Sequence, residues 1–331
     1  MNRFKRLAMA AAILIGASSF AAAAAAPDWL NQPLKKPLDQ LVIGLSFPLL
    51  DPWSASYEKN FQDYAKALGV KVIVLDSQAD VLKQSNDIRD LVAQGVDTVI
   101  ALPLNNQAIV SSLGEAHAAG IPVVLSNGRV APSGAQYVTA WTGPDHFKTG
   151  YLSGQMLIEA LGDKANIVII SGTPGTESGD LREKGCRTAL SEHPGATLLD
   201  AQPANFKREK AQSIMEAFIT RFGNKIDGVC ANDDDMALGA LTAIKAAVQA
   251  GRLKPDHIKI TSGASQIEGY DEIKKNGYFY GSVLMQPDDA SRLALKTAVE
   301  VAEGQKVAKE QYYDTPAYTL KNIDGTPRPT Y

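Results

Sequence analysis

Residues 70–102 read VKVIVLDSQADVLKQSNDIRDLVAQGVDTVIAL. An apolar, β-branched run over 70–75 gives way to a stretch over 81–94 with apolar positions at helical spacing, and a second apolar run follows over 96–102. Two buried strands joined by a crossover helix are the unit of a parallel sheet. The unit extends in both directions. A strand is expected over 41–45 and a helix over 54–68 before it, with a helix over 107–119 and a strand over 121–125 after it. The pattern then begins again, with strands over 166–170, 197–200, 228–231, 258–261 and 280–284 alternating with helices over 145–161, 178–191, 207–221, 234–250 and 267–276. The wording echoes too: Val74-Leu75-Asp76-Ser77-Gln78-Ala79-Asp80 resembles Leu198-Leu199-Asp200-Ala201-Gln202-Pro203-Ala204-Asn205. The expected fold is α/β: two flavodoxin-like lobes, each a doubly wound parallel sheet, joined by a multi-strand hinge. A last helix over 288–304 is expected to return to the first lobe, which makes the crossings multiple. The boundaries are a signal over 1–26, an extension over 27–40, a first lobe from 41–142 plus 287–310, and a second lobe and tail from 143–286 plus 311–331.

The beginning of the chain has the three parts of a secretory signal: cationic Asn2-Arg3-Phe4-Lys5-Arg6, an apolar stretch over 7–20, and small-residue cleavage sites over 21–26. The apolar stretch is short for a membrane anchor. Export to the periplasm of a Gram-negative bacterium, with cleavage near Ala26, is expected. The whole chain has 33 basic and 36 acidic residues, a net charge of -3, which gives no reason to expect nucleic acid as a partner. Cys186 and Cys230 are assigned to an apparent helix and an apparent strand. Two buried free thiols are the expected state, with a bridge as the alternative. No metal-ligand spacing is present, and neither a cofactor nor a metal is expected.

In an open parallel sheet the ligand site lies beyond the carboxyl ends of the strands. Those ends carry Phe47 with Asp51-Pro52-Trp53, then Asn127-Gly128-Arg129, Trp141, Arg182, Phe206, Asn232 and Gln286. Planar polar groups can each meet adjacent hydroxyls with two hydrogen bonds, and an aromatic face covers the apolar face of a sugar. A polyhydroxylated small ligand is therefore expected between the lobes. Other readings of the same residues stay open. Asp51 can be a turn former, Trp53 a staple on the following helix, Arg182 a surface charge paired with Asp180 or Glu183, Phe206 core packing and Trp141 a hinge residue.

The chain resembles the ribose-binding-protein-like branch of the type I periplasmic binding proteins. The resemblance rests on Asp51-Pro52-Trp53, Val74-Leu75-Asp76-Ser77-Gln78, Arg182-Glu183-Lys184-Gly185, Gln202-Pro203-Ala204-Asn205-Phe206, Asn232-Asp233-Asp234-Asp235-Met236-Ala237-Leu238-Gly239-Ala240 and Met285-Gln286-Pro287, in that order. It implies sugar contacts from Asp51, Trp53, Arg182, Phe206, Asn232 and Gln286. It further implies delivery to the inner-membrane permease of an ABC importer by a monomer, with a chemoreceptor or sensor kinase as a further partner. Two departures stand out. Asn127-Gly128-Arg129 replaces the Asp-Arg common in relatives. Ser262-Gly263-Ala264-Ser265 follows the strand over 258–261 where many relatives carry an aromatic and an Asp, so ribose itself is doubtful.

Rival functions fit less well. The turn after the first strand, Leu45-Ser46-Phe47-Pro48, lacks the G-x-G-x-x-G of a dinucleotide site, and no G-x-S-x-G elbow supports a hydrolase. His146 is the one histidine expected near the cleft, with a core or capping role. A transcription regulator of this architecture would need a helix-turn-helix and no export signal. A non-carbohydrate ligand is the alternative, either a furanosyl autoinducer or an amino-acid-like metabolite clamped by Arg129 with Arg182.

Overall fold

The computed structural model describes residues 27–331 apart from Gln32 and Leu50; the expected secretory signal lies outside the described residues. The first sheet takes β1 (Val42–Phe47), β2 (Lys71–Asp76), β3 (Thr98–Ala101), β4 (Val123–Ser126) and β5 (Ala140–Gly143), with α1 (Pro52–Leu68), α2 (Val81–Ala93) and α3 (Val110–Ala118) between them. The second takes β6 (Asn166–Ser171), β7 (Thr197–Pro203), β8 (Gly228–Ala231), β9 (Lys259–Ser262) and β10 (Phe279–Val283). It is interleaved with α4 (His146–Leu161), α5 (Glu177–Ser191), α6 (Arg208–Phe222), α7 (Asp234–Gln249) and α8 (Ile267–Lys274). After α9 (Pro287–Ala302), β11 (Glu310–Tyr312) joins the first sheet and β12 (Ala317–Thr319) the second. The strand orders are β11-β5-β4-β3-β1-β2 and β12-β10-β9-β8-β6-β7, and among the described residues only the β10–β12 pair is antiparallel. The same strand order occurs twice, as the repeated pattern predicts, and the two sheets differ in the direction of the edge strand.

Each sheet buries an apolar layer on both faces. Ile43, Leu45 and Val124 pack with Phe61 of α1 and with Ala294 and Leu295 of α9, while Val99 and Leu125 pack with Ile88 and Leu113 on the other side. The return of the last helix to the first lobe is thus the observed packing. The chain crosses between lobes three times: between β5 and α4, between β10 and α9, and between β11 and β12. β5 is not among the strands expected from sequence; it places Trp141, read as a strand-end or hinge residue, inside the first sheet. Gln311 and Tyr312 lie in the first sheet rather than with the second lobe.

Cys186 on α5 and Cys230 on β8 are joined by a disulfide, which corrects the expectation of two free thiols. The helix lies with its inner face on the sheet, and both residues belong to one buried cluster with Leu157, Ile167 and Ile169. Elements separate in sequence are therefore in contact through these side chains. α5 approaches α4 closely because Gly150 and Gly185 face the partner helix's backbone. A Cβ at either position would collide with the carbonyl of Arg182 or of Phe147.

Candidate functional site

A cavity of about 180 Å³ lies between the carboxyl ends of the two sheets. Its walls include the first residues of α1, α5 and α7 and the residue preceding α8, so helix amino ends with their partial positive charge point inward. Asp51, Trp53, Asn127, Arg182 and Phe206, five of the nine residues expected at a site, line it.

Asp51 is both cap and lining residue. Its carboxylate accepts the Ser54 N–H at 2.7 Å, Ser54 Oγ accepts the Asp51 N–H at 2.9 Å, and Pro52 opens α1. Trp53 stacks near Tyr57 at 5.3 Å between ring centroids and donates its indole N–H to the Met285 carbonyl at 3.2 Å, tying α1 to the crossing that leads into α9. Arg182 is only 4% exposed. It donates to the carbonyls of Asn232 and Gly263 at 2.8 and 3.1 Å and approaches Met285 Sδ at 3.0 Å, while its Nε–H is buried without a partner. The surface-pair reading of Arg182 fails, because Asp180 accepts from Gly175 N–H and Glu183 pairs with Arg187.

Three of the lining residues hold left-handed backbone without being glycine: Asn127 at φ 61°, Phe206 at φ 57° and Ala264 at φ 109°. Such backbone costs energy and persists where the surroundings impose it, commonly at ligand sites. The Phe206 ring lies on Gly172, where any Cβ would overlap it. Asn127 is held from below by His146, whose Nε2 is 2.7 Å from the Asn127 carbonyl. Burial pushes His146 down to about 3, helped by Arg182 and Arg129. The ring is therefore neutral and donates through Nε2–H, a positioning role. The side-chain oxygen of Asn127 is buried and unpartnered.

Four expected residues stand elsewhere. Asn232, 2% exposed, donates its amide to the Gly179 carbonyl at 2.9 Å, and Asp233 lines the cavity in its stead. Successive side chains of extended backbone point to opposite sides. With Asp233 at φ -150°, an Asn232 directed into the second lobe puts Asp233 in the cleft. The same one-residue shift applies at Gln286, which holds residues 328–330 while Met285 lines the cavity. Arg129 lies 3.7 Å above the Trp141 ring and pairs with Glu177 across the lobes and with Glu310. Trp141 is buried beneath it, so both belong to the crossing and not to the cavity. No paired-arginine clamp with Arg182 is formed.

The run Asp233-Asp234-Asp235 divides three tasks. Asp233 caps α7 through Met236 N–H at 2.8 Å and lines the cavity. Burial pushes its carboxyl up to about 7, opposed by that N–H; Asp235 and Asp51 push the same way and Arg182 the other. Asp234 accepts from Ser262, Ser282 and the Gln266 N–H, which joins α7 to β9 and β10. Asp235 pairs with Arg208 at the cavity rim. Of the lining residues not anticipated, Asp233 and Met285 were within reach of the alternation rule applied at the strand ends. Tyr331 carried no such signal. Among the described residues, no group of three or more His, Cys, Asp or Glu could hold a metal ion, and no helix is long and apolar enough to cross a membrane.

Two α/β lobes of one topology, enclosing a small polar and aromatic cavity at their strand ends and crossed three times by the chain, define a two-lobed solute-binding protein. The chain belongs to the periplasmic binding protein domain family, whose model matches residues 43–306. It is 31% identical over 283 residues to a xylitol-binding protein of Mycolicibacterium smegmatis, covering 85% of this chain and 78% of that protein. It is 30% identical over 291 residues to a ribose import binding protein of Bacillus subtilis, covering 86% and 88%. A crystal structure of a galactofuranose binding protein superposes with a TM-score of 0.79 at 26% identity, covering 86% of this chain and 96% of that one.

Proposed function

We propose that the protein captures a monosaccharide or sugar alcohol between its lobes, without converting it, and delivers it to the inner-membrane permease of an ABC importer. The observation that carries this reading is the cavity itself. The carboxylates of Asp51 and Asp233 and the guanidinium of Arg182 stand among the rings of Trp53 and Phe206 in about 180 Å³, below the ~300–1,000 Å³ of sites for drug-sized molecules. Carboxylates accept from hydroxyls, the guanidinium donates to ring or hydroxyl oxygens, and the rings cover C–H faces. The xylitol- and ribose-binding relatives support the same ligand class. Export through a cleaved signal is part of the proposal, and the Cys186–Cys230 bridge is in keeping with an oxidising compartment. The acting form is a monomer.

A thermal-shift screen of the mature, ligand-stripped protein against pentoses, hexoses, alditols, inositols and amino acids tests this. A ligand at a hundred times its Kd stabilises by about 2.7 kcal/mol. A polyol among the responders is expected; a response to amino acids alone would sink the proposal.

A further inference from the structure

The cavity wall beyond β9 is built of small residues, for Ser262-Gly263-Ala264-Ser265 offers neither ring nor carboxylate. Ala264 and Gln266 line the cavity there, and so does Tyr331. A main-chain oxygen of Tyr331 accepts the N–H of Ile267, the residue after Gln266, at 2.7 Å. Its phenol lies within electrostatic reach of Asp233, Asp51 and Arg182. The segment that brings it is tied down. Gln286 donates to the Arg328 carbonyl at 3.2 Å and accepts from Thr330 Oγ1 at 3.1 Å and Thr330 N–H at 3.3 Å. Arg328 reaches both carboxylate oxygens of Asp271 at 3.0 Å.

We propose that Tyr331 is the second-lobe aromatic wall of the ligand cavity, a specificity-determining residue strapped into the space that the small residues after β9 leave open. The inference rests on the sugar or polyol reading and narrows it to small members of that class, in keeping with a cavity of about 180 Å³. A tyrosine presents an apolar face to ligand C–H groups and a hydroxyl that both donates and accepts. Burial and the neighbouring carboxylates keep that hydroxyl protonated, so it is available as a donor to a ligand oxygen. Because the ring arrives on a strap and not on a strand end, it can be removed without altering either sheet.

The test is calorimetric titration of wild type, Tyr331→Ala, Tyr331→Phe and Gln286→Ala with a panel of pentoses, pentitols, hexoses and inositols, after circular dichroism establishes the fold of each. The ligand preferred by wild type should bind Tyr331→Ala about tenfold or more weakly, with the preference for small over large members reduced. Tyr331→Phe should keep the size ranking and lose about threefold to tenfold in affinity, as befits one hydroxyl. Gln286→Ala, which removes three of the bonds that hold the strap, should change the ranking in the direction of Tyr331→Ala. A wild type that binds the panel while Tyr331→Ala and Tyr331→Phe keep its affinity and ranking overturns the inference and leaves the sugar reading standing. A wild type that binds no member overturns both.

Discussion

At the scale of single residues, Asp233 is a cavity-lining group whose chemistry changes within the ordinary pH range, as does that of Asp234 beside it, raised by burial to about 6. An unfolded aspartate ionises near pH ~4, whereas Asp233 in the fold does so at about 7. Between those values the folded chain holds a proton that the unfolded chain has released, so this group makes stability fall as pH rises through the window. A ligand hydroxyl donating to Asp233 requires the carboxylate and expels that proton. Affinity is therefore expected to rise from about pH 5 to about pH 8, and calorimetric titration across that span should show the rise in wild type and a shallower one in Asp233→Asn, where Asp234 and Glu177 still titrate. Asn232 supplies the contrast. Asn232→Ala removes the bond to the Gly179 carbonyl and should cost about 1 kcal/mol of stability by urea unfolding, with ligand affinity nearly unchanged. An affinity loss from Asn232→Ala equal to that from Asp233→Ala would contradict the assignment. These two residues also mark where the sequence was hardest to read. Strand ends were legible from the apolar runs, but which of two adjacent polar side chains faces the cleft depends on the pleat at the last residue, and a local phrase does not reveal its phase.

At the scale of elements, the second lobe depends on how closely α5 can approach α4 and the sheet. Gly185 faces the Phe147 carbonyl, so Gly185→Ala should force the helices apart, costing about 1–3 kcal/mol as overpacking does. It should also weaken ligand binding, because Arg182 lies on the same helix and would be displaced from the carbonyls of Asn232 and Gly263. The disulfide joins α5 to β8 across a sequence separation of 44. Replacing both cysteines by serine should lower stability by about 2–4 kcal/mol in denaturant unfolding while leaving ligand affinity close to wild type, since neither cysteine lines the cavity. The long, periodic helices and the apolar strands of four to seven residues were legible because their patterns are strong. β11 and β12 were not, since strands of three residues hold too few alternations to show a period, and neither was β5, whose Ala140-Trp141-Thr142-Gly143 lacks a β-branched apolar run.

At the scale of the whole molecule, the two lobes are held by contacts that a closing motion would make and break. Arg129 of the first lobe pairs with Glu177 at the start of α5, and Trp53 of α1 bonds the Met285 carbonyl. A ligand held by both lobes favours the closed arrangement by its additional contacts there. Arg129→Gln removes the interlobe ion pair to Glu177, which itself lines the cavity, while Arg129 lies outside the lining. It should shift the ligand-free protein toward a larger radius of gyration in small-angle scattering and weaken ligand affinity by about threefold to tenfold. Unchanged scattering with unchanged affinity would show that the pair plays no part in closure. The duplicated plan was legible from the echoed phrases and the restarted strand pattern. The strap ending in Tyr331 was not, because its place depends on Gln286 and α8, which lie some forty to sixty residues away in sequence.

The return of α9 to the first lobe also bears on how the chain is made. Ala294, Leu295 and Ala298 complete the layer over Ile43, Leu45 and Val124, so the first lobe lacks one of its helices until the second lobe has been synthesised. A nascent chain ending before Pro287 would present the bare face of β1 and β3, an apolar surface of the kind that chaperones hold and that aggregates when left alone. A truncated chain ending at Gln286 should accordingly be insoluble or chaperone-bound, since the first lobe can finish folding only once α9 and then β11 have joined it.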